Sequence, residues 1–158
     1  PPRSTLFPYT TLFRSGEYEI KEAEFVGIFA DHDDKKGAER GKITIFTMEI
    51  DDIKICHLGD LAVELDSEQL ELVDGVDILI VPVGGKYTLD AKTAVKVISQ
   101  IEPKIVIPMH YKDGKMTDLS PLETFLHEIA VEPKKLERLK ISSRDLPEEM
   151  ELVVLKNQ

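Results

Sequence analysis

The run Val76–His110, VDILIVPVGGKYTLDAKTAVKVISQIEPKIVIPMH, changes its hydrophobic period twice within 35 residues. Val76 to Val83 is apolar on both alternating positions apart from Asp77, the signature of a strand buried on both faces. Val83-Gly84-Gly85 interrupts it, and Thr88 is placed to cap a helix over Asp90 to Ile101. On that helix Ala91, Ala94, Val95, Val97 and Ile98 form one apolar stripe. Lys104 to Met109 then returns to a short β-rich run that ends at His110. Strand, helix, strand in this order is the rhythm of a layered α/β fold. The chain is therefore expected to be α/β, with chemistry at strand ends and in the loops they support.

Upstream of this unit the pattern is all β. Glu17-Tyr18-Glu19-Ile20-Lys21 and Glu24 to Ala30 read as successive strands, and the polar stretch Asp31 to Gly41 breaks the pattern. Ile43 to Ile50 and Ile53 to Leu58 flank Asp51-Asp52, which suits a two-residue hairpin turn although it lacks glycine. Ser67 to Val73 reads as a short helix capped by Asp66 or Ser67. Downstream, Ser120-Pro121 sets proline at the first position of a helix reaching about Ala130, and Leu136 to Ile141 and Glu151 to Leu155 are expected as short strands.

A chain of 158 residues, 42% hydrophobic and 32% charged, suits one domain with a real core. The formal charge of -10 argues against a phosphate-backbone partner, since the one dense basic tract, Lys134 to Lys140, is interleaved with Glu and Leu. No nucleic-acid or membrane partner is expected, because no apolar run approaches the roughly 20 residues needed to span a bilayer. The single Cys56 cannot form an internal disulfide and reads as a small buried hydrophobe, which fits a cytoplasmic setting.

The leading segment stands apart. TLFPYTTLFRS, Thr5 to Ser15, lacks the apolar core of a signal peptide and resembles the translated read-through of a common sequencing adapter. Residues 1–15 are accordingly expected to be a disordered scar, and residues 16–158 a truncated domain.

The candidate chemistry lies in residues that close strands. His32 stands in Asp31-His32-Asp33-Asp34, where neighbouring acids could orient its ring, although a solvated acidic turn reads equally well. Asp60 follows a strand and Gly59, a position suited to a metal ligand or to a helix cap. His110 closes Ile105 to Met109, where a hydrogen-bonded surface histidine is the plain alternative. A His, Asp, His set of nitrogen and oxygen donors suits zinc, manganese or iron, but three ligands build only part of a two-metal site. Val83 to Thr88 is like the end of a phosphate loop, yet Ile80 and Tyr87 occupy its required Gly and Ser/Thr positions. There is no Gly-x-Ser-x-Gly elbow.

Taken together, Gly16 to Ile20, His32-Asp33-Asp34 with Arg40-Gly41-Lys42, Ile55 to Leu61, Val81 to Gly85 with Tyr87 to Ala91, and Pro103 to Tyr111 resemble the metallo-β-lactamase-fold metal-dependent hydrolases. The branch is the broad one of beta-lactamase superfamily zinc-dependent hydrolases, and the resemblance spans about Gly16 to Ala130. It implies the C-terminal portion of an αββα sandwich carrying two divalent metal ions, zinc foremost, with manganese or iron as alternatives. It further implies that His32 and His110 are metal ligands and that Asp60 is the bridging carboxylate and catalytic residue. His57 points away from its neighbours by strand alternation and is expected to support the site or sit in the core, and His127 to be surface.

Two departures qualify the resemblance. The family's His-x-His-x-Asp-His motif is nowhere in the sequence, so this chain is expected to be inactive alone. Where relatives often continue after the aspartate and its neighbour with Gly-His, this chain has Ala62-Val63. The implied reaction is hydrolysis of an ester, amide, lactone or phosphodiester in a small-molecule substrate. The rival readings are a non-enzymatic acidic α/β binding module and a metal-binding relative without turnover. Half of a sandwich would expose an apolar sheet face, so aggregation or homo-oligomerisation is expected.

Overall fold

The computed structural model describes residues 16–20, 23–33, 35, 37–114 and 118–156; the adapter-like segment lies outside them. Antiparallel strands come first: β1 (Gly16–Ile20), β2 (Ala23–Asp31), β3 (Lys42–Ile50) and β4 (Ile53–His57). The turn joining β3 to β4 is Asp51-Asp52, with φ of 51° and 60°. Two left-handed central residues are what a right-twisted two-residue hairpin requires, and aspartate tolerates that region better than most side chains.

After β4 the chain switches to crossovers. Helix α1 (Ser67–Leu72) leads to β5 (Ile78–Pro82), α2 (Ala91–Ile101) to β6 (Ile105–Met109), and α3 (Leu122–Ile129) to β7 (Lys134–Leu136) and β8 (Glu151–Leu155). The strand order is β1-β2-β3-β4-β5-β6-β8-β7. From β4 onward every pairing is parallel, the arrangement that crossover connections produce. Because β2 and β4 are both antiparallel to β3, the carboxyl ends of β2, β4, β5 and β6 emerge along one edge.

Periodicity decides how the faces are used. On α2 the residues Ala91, Ala94, Val97 and Ile98 are buried, and with Phe125 of α3 they pack on Cys56, Leu79, Val81 and Val106 of the sheet. Burying each large aliphatic side chain contributes roughly 1.5–3 kcal/mol. The other face carries Ile53, Ile78, Ile105 and Val153, covered by Leu136, Leu139, Ile141 and Leu146 of the C-terminal segment. Beyond that cover, Phe25, Phe46, Met48 and His57 line an apolar concavity of ≈ 330 Å³.

Three local expectations change. Asp90, not Thr88, caps α2, its side chain accepting from Thr93 N–H at 2.8 Å; Thr88 is buried, its hydroxyl donating to Gly85 O at 3.4 Å. Pro121 sits one position before α3 rather than inside it. The strand expected over Leu136 to Ile141 is instead Lys134–Leu136, because Leu139 and Ile141 turn onto the sheet's second face.

Candidate active site at the carboxyl edge of the sheet

Each sequence-picked residue closes a strand that ends on the same edge, and each is held there by local backbone chemistry. His32 follows β2, and its N–H donates to Gly41 O at 3.2 Å, closing the loop across residues 33–41. The centre of that loop is the Asp33 carboxylate, buried at 6% exposure. It accepts from the backbone N–H groups of Lys35 (2.9 Å), Gly37 (2.8 Å), Glu39 (3.0 Å) and Arg40 (2.7 Å). Burial alone would raise its pKa, but the N–H groups of Arg40, Lys35, Glu39 and Gly37 outweigh that and hold it below the ordinary aspartate value. Asp33 thus shapes the loop with its backbone bonds instead of orienting the His32 ring.

Asp60 is carried by the turn after β4. Gly59 there has φ of 57°, and its N–H donates to His57 Nδ1 at 3.0 Å. His57 must be neutral at Nδ1 to accept, and its partial burial lowers its pKa despite the opposing pull of its own backbone and of Asp60. The ring that alternation turns away from the neighbouring core residues therefore fixes the backbone that presents Asp60.

His32 Nε2 lies 3.9 Å from Asp60 Oδ2. That is too far for a hydrogen bond, yet within reach of two ligands on one metal when each bond is about 2.0–2.2 Å. The nitrogen itself is buried and has no hydrogen-bond partner, while the Asp60 side chain is half exposed.

His110 ends β6 with φ of 53°, left-handed for a residue with a Cβ, a conformation that costs on the order of 1–3 kcal/mol and clusters at functional sites. Its neighbours hold it there. Val83 N–H donates to Met109 O at 3.0 Å, Ser120 N–H to Gly84 O at 2.8 Å, and Lys112 N–H to Ser120 O at 2.9 Å. The Gly84 backbone is so close that a Cβ there would fall 2.0 Å from His110 O. His110 Nδ1, like His32 Nε2, is buried without a hydrogen-bond partner.

Two unpartnered buried ring nitrogens along one edge are a donor set that suits a borderline cation, because burying them without a partner is otherwise unfavourable. The set is partial. Among the described residues no three His, Cys, Asp or Glu side chains converge into a group that could hold a metal ion. His32 and Asp60 are brought together, and His110 is placed on the same edge without closing a triad. His127 lies exposed in the last turn of α3. The sequence reading missed the loop-shaping role of Asp33 and the contact between Gly84 and His110; the paired glycines after a buried strand were the available signal for the second.

Comparison with known proteins places the chain in a family. The beta-lactamase superfamily domain matches residues 8–110. A UPF0173 metal-dependent hydrolase of Carboxydothermus hydrogenoformans is 41% identical over 66 residues, covering 42% of this chain and 29% of its own. Another from Thermococcus onnurineus is 35% identical over 98 residues, 61% of this chain and 44% of its own. The chain thus spans less than half the length of either. Among solved structures, a proposed zinc-dependent hydrolase of the metallo-beta-lactamase superfamily from Thermotoga maritima superposes with a TM-score of 0.75 at 34% identity, over 91% of this chain and 70% of that one. A chain from Parabacteroides distasonis, 18% identical with a TM-score of 0.60 over 93% of this chain and 57% of its own, shares the fold.

Proposed function

Because the chain belongs to the beta-lactamase superfamily, we propose that it is part of a metal-dependent hydrolase acting on a small molecule, with His32, Asp60 and His110 as this chain's share of the metal ligands. The observation that carries the proposal is the pair of buried, unpartnered ring nitrogens, His32 Nε2 and His110 Nδ1, on the edge that also bears Asp60. A bound divalent metal, zinc in the first place, would supply a nucleophile at neutral pH by bringing the pKa of water from 15.7 to about 7.

The chain's own residues then have distinct tasks. In this reading His32 and His110 would each offer one nitrogen, and Asp60 would offer a carboxylate. His57 holds the Asp60 turn, and Asp33 holds the loop from His32 to Gly41. The remaining ligands belong to the His-x-His-x-Asp-His segment typical of the family, which this sequence does not contain, so this chain alone is expected to bind metal weakly and to turn over little. The bond cleaved is an ester, amide, lactone or phosphodiester.

Equilibrium dialysis against zinc with metal analysis tests the ligand assignment, and a panel of those four bond types tests turnover. Weak zinc uptake that falls in His32→Ala, Asp60→Asn and His110→Ala is the expected result. No uptake, or three variants that bind like the parent, would refute the assignment. Uptake in a chain extended to carry the missing motif, with no turnover on any substrate class, would favour the metal-binding relative without activity.

A further inference from the structure

Next to His32 the surface opens into a cavity of ≈ 270 Å³ whose walls include Arg40, Lys86, Tyr87 and Thr88. In a chain of formal charge -10 two cations share these walls with Asp33 and Glu39, beside the proposed metal edge. The Arg40 guanidinium lies over the Tyr87 ring, 4.3 Å from its centroid, and the Lys86 ammonium is 4.9 Å from the same centroid. Tyr87 is 41% exposed, a large aromatic left at the surface between two cations. The segment that places them turns sharply, with φ of 66° at Gly85 and 60° at Lys86.

The two acids that line the cavity, and the one beside Lys86, are already engaged. Asp33 is consumed by four backbone N–H groups, Glu39 pairs with the Lys35 ammonium, and Asp118 pairs with the Lys86 ammonium. Among the described residues the Arg40 guanidinium has no carboxylate partner, its one hydrogen bond being a long one from Nη1 to Lys86 O at 3.5 Å. A guanidinium has five donors in a rigid fork, so one lying over a tyrosine ring with a single long hydrogen bond keeps most of that fork open for a planar or tetrahedral oxyanion.

We propose that Arg40, stacked on Tyr87, is an oxyanion-recognition subsite, and that the substrate carries a carboxylate or phosphoryl group held there while its scissile bond faces His32. This rests on the hydrolase reading for the meaning of "substrate", but the binding of the anion does not depend on metal. Tyr87 and the loop around Asp33 pre-organise the guanidinium, which lowers the ordering cost of capture. Lys86, tied to Asp118, adds field without being the primary contact.

The test is an NMR titration of the metal-stripped chain with inorganic phosphate and, separately, acetate, at constant ionic strength with chloride as the reference salt. The Arg40 Nε–Hε and Tyr87 amide signals are followed. Saturable shifts at both, with affinity reduced about tenfold or more in Arg40→Gln as read at Tyr87, are expected, since a hydrogen bond to a charged group is worth that factor. Arg40→Lys should recover only part of it, because an ammonium keeps the charge but not the fork. Tighter phosphate binding assigns a phosphoryl group, and tighter acetate binding a carboxylate. Shifts that match those in chloride, or an Arg40→Gln variant with unchanged affinity, would overturn the subsite. Zinc dialysis on the same variants separates the two readings. Arg40→Gln should leave zinc uptake unchanged, and a chain that captures anions without taking up zinc would remove the metal assignment alone.

Discussion

Replacing Gly84 by alanine tests the packing that sets His110 in place. A Cβ built there lies 2.0 Å from His110 O, 3.0 Å from His110 C and 3.1 Å from Tyr111 Cα, all backbone atoms that cannot swing aside. Restoring ordinary contact requires a shift of about 1.4 Å or more in one of two strands' ends that hydrogen bonds lock together. Overpacking typically costs about 1–3 kcal/mol, and a clash with backbone belongs at the upper end. For a chain of this size about 3 kcal/mol corresponds to a fall in Tm of about 6–12 °C. Thermal unfolding by circular dichroism measures this, and the ring signals of His110 should move in the same variant. Gly114→Ala is the control: no heavy atom of the described residues beyond its chain neighbours lies within 4 Å of its Cβ position, so the change should stay within about 0.5 kcal/mol. If Gly84→Ala melts with the control and leaves the His110 signals unmoved, the two loops do not hold one another and the reasoning fails.

Other consequences follow from single groups. His57 should titrate below 6.5, because burial depresses it; with the folded pKa under the unfolded one, its contribution is intact above about pH 6.5 and declines as pH falls toward the folded value. Ring NMR showing His57 titrating at or above 6.5 would contradict this. Asp33→Asn should loosen the loop from His32 to Gly41, seen as faster amide exchange at Gly37 and Arg40, and acidification should do the same only below the ordinary aspartate value of 3.8, since the folded pKa is lowered. Unchanged exchange in the variant would mean that other contacts hold the loop. Cys56 is fully buried with its thiol pushed up to about 12, so a thiol reagent at neutral pH should react only as fast as the chain opens; immediate labelling in the native state would place it wrongly.

Much of this architecture was legible because period is a local property. The run from Val76 to His110 shows its strand, helix and strand from the spacing of apolar residues alone, and β5, α2 and β6 stand where that spacing puts them. Asp51-Asp52 is readable as a hairpin without glycine because aspartate is among the few side chains that accept positive φ. Caps and short ends were less legible: Thr88 and Asp90 are both good capping residues two positions apart, and only the direction of the entering chain chooses between them. The strand expected over Leu136 to Ile141 lies instead at Lys134–Leu136, because Leu139 and Ile141 satisfy a strand's alternation equally well when they serve as cover for a sheet face.

The site divides in the same way. The sequence by itself determined which residues have metal-binding chemistry and that His32, Asp60 and His110 each close a strand, since residue type and strand length are written along the chain. Only the tertiary structure decided that these ends share one edge, because that depends on the parallel register of β4, β5 and β6 and on the two antiparallel steps from β2 to β4. It also decided that Asp33 serves the backbone, that Gly84 touches His110, and that Arg40 stacks on Tyr87 across 47 positions of sequence. Contacts of that kind are set by how the strand ends and loops pack in three dimensions, and a side chain's usual chemistry does not say which distant backbone it will meet.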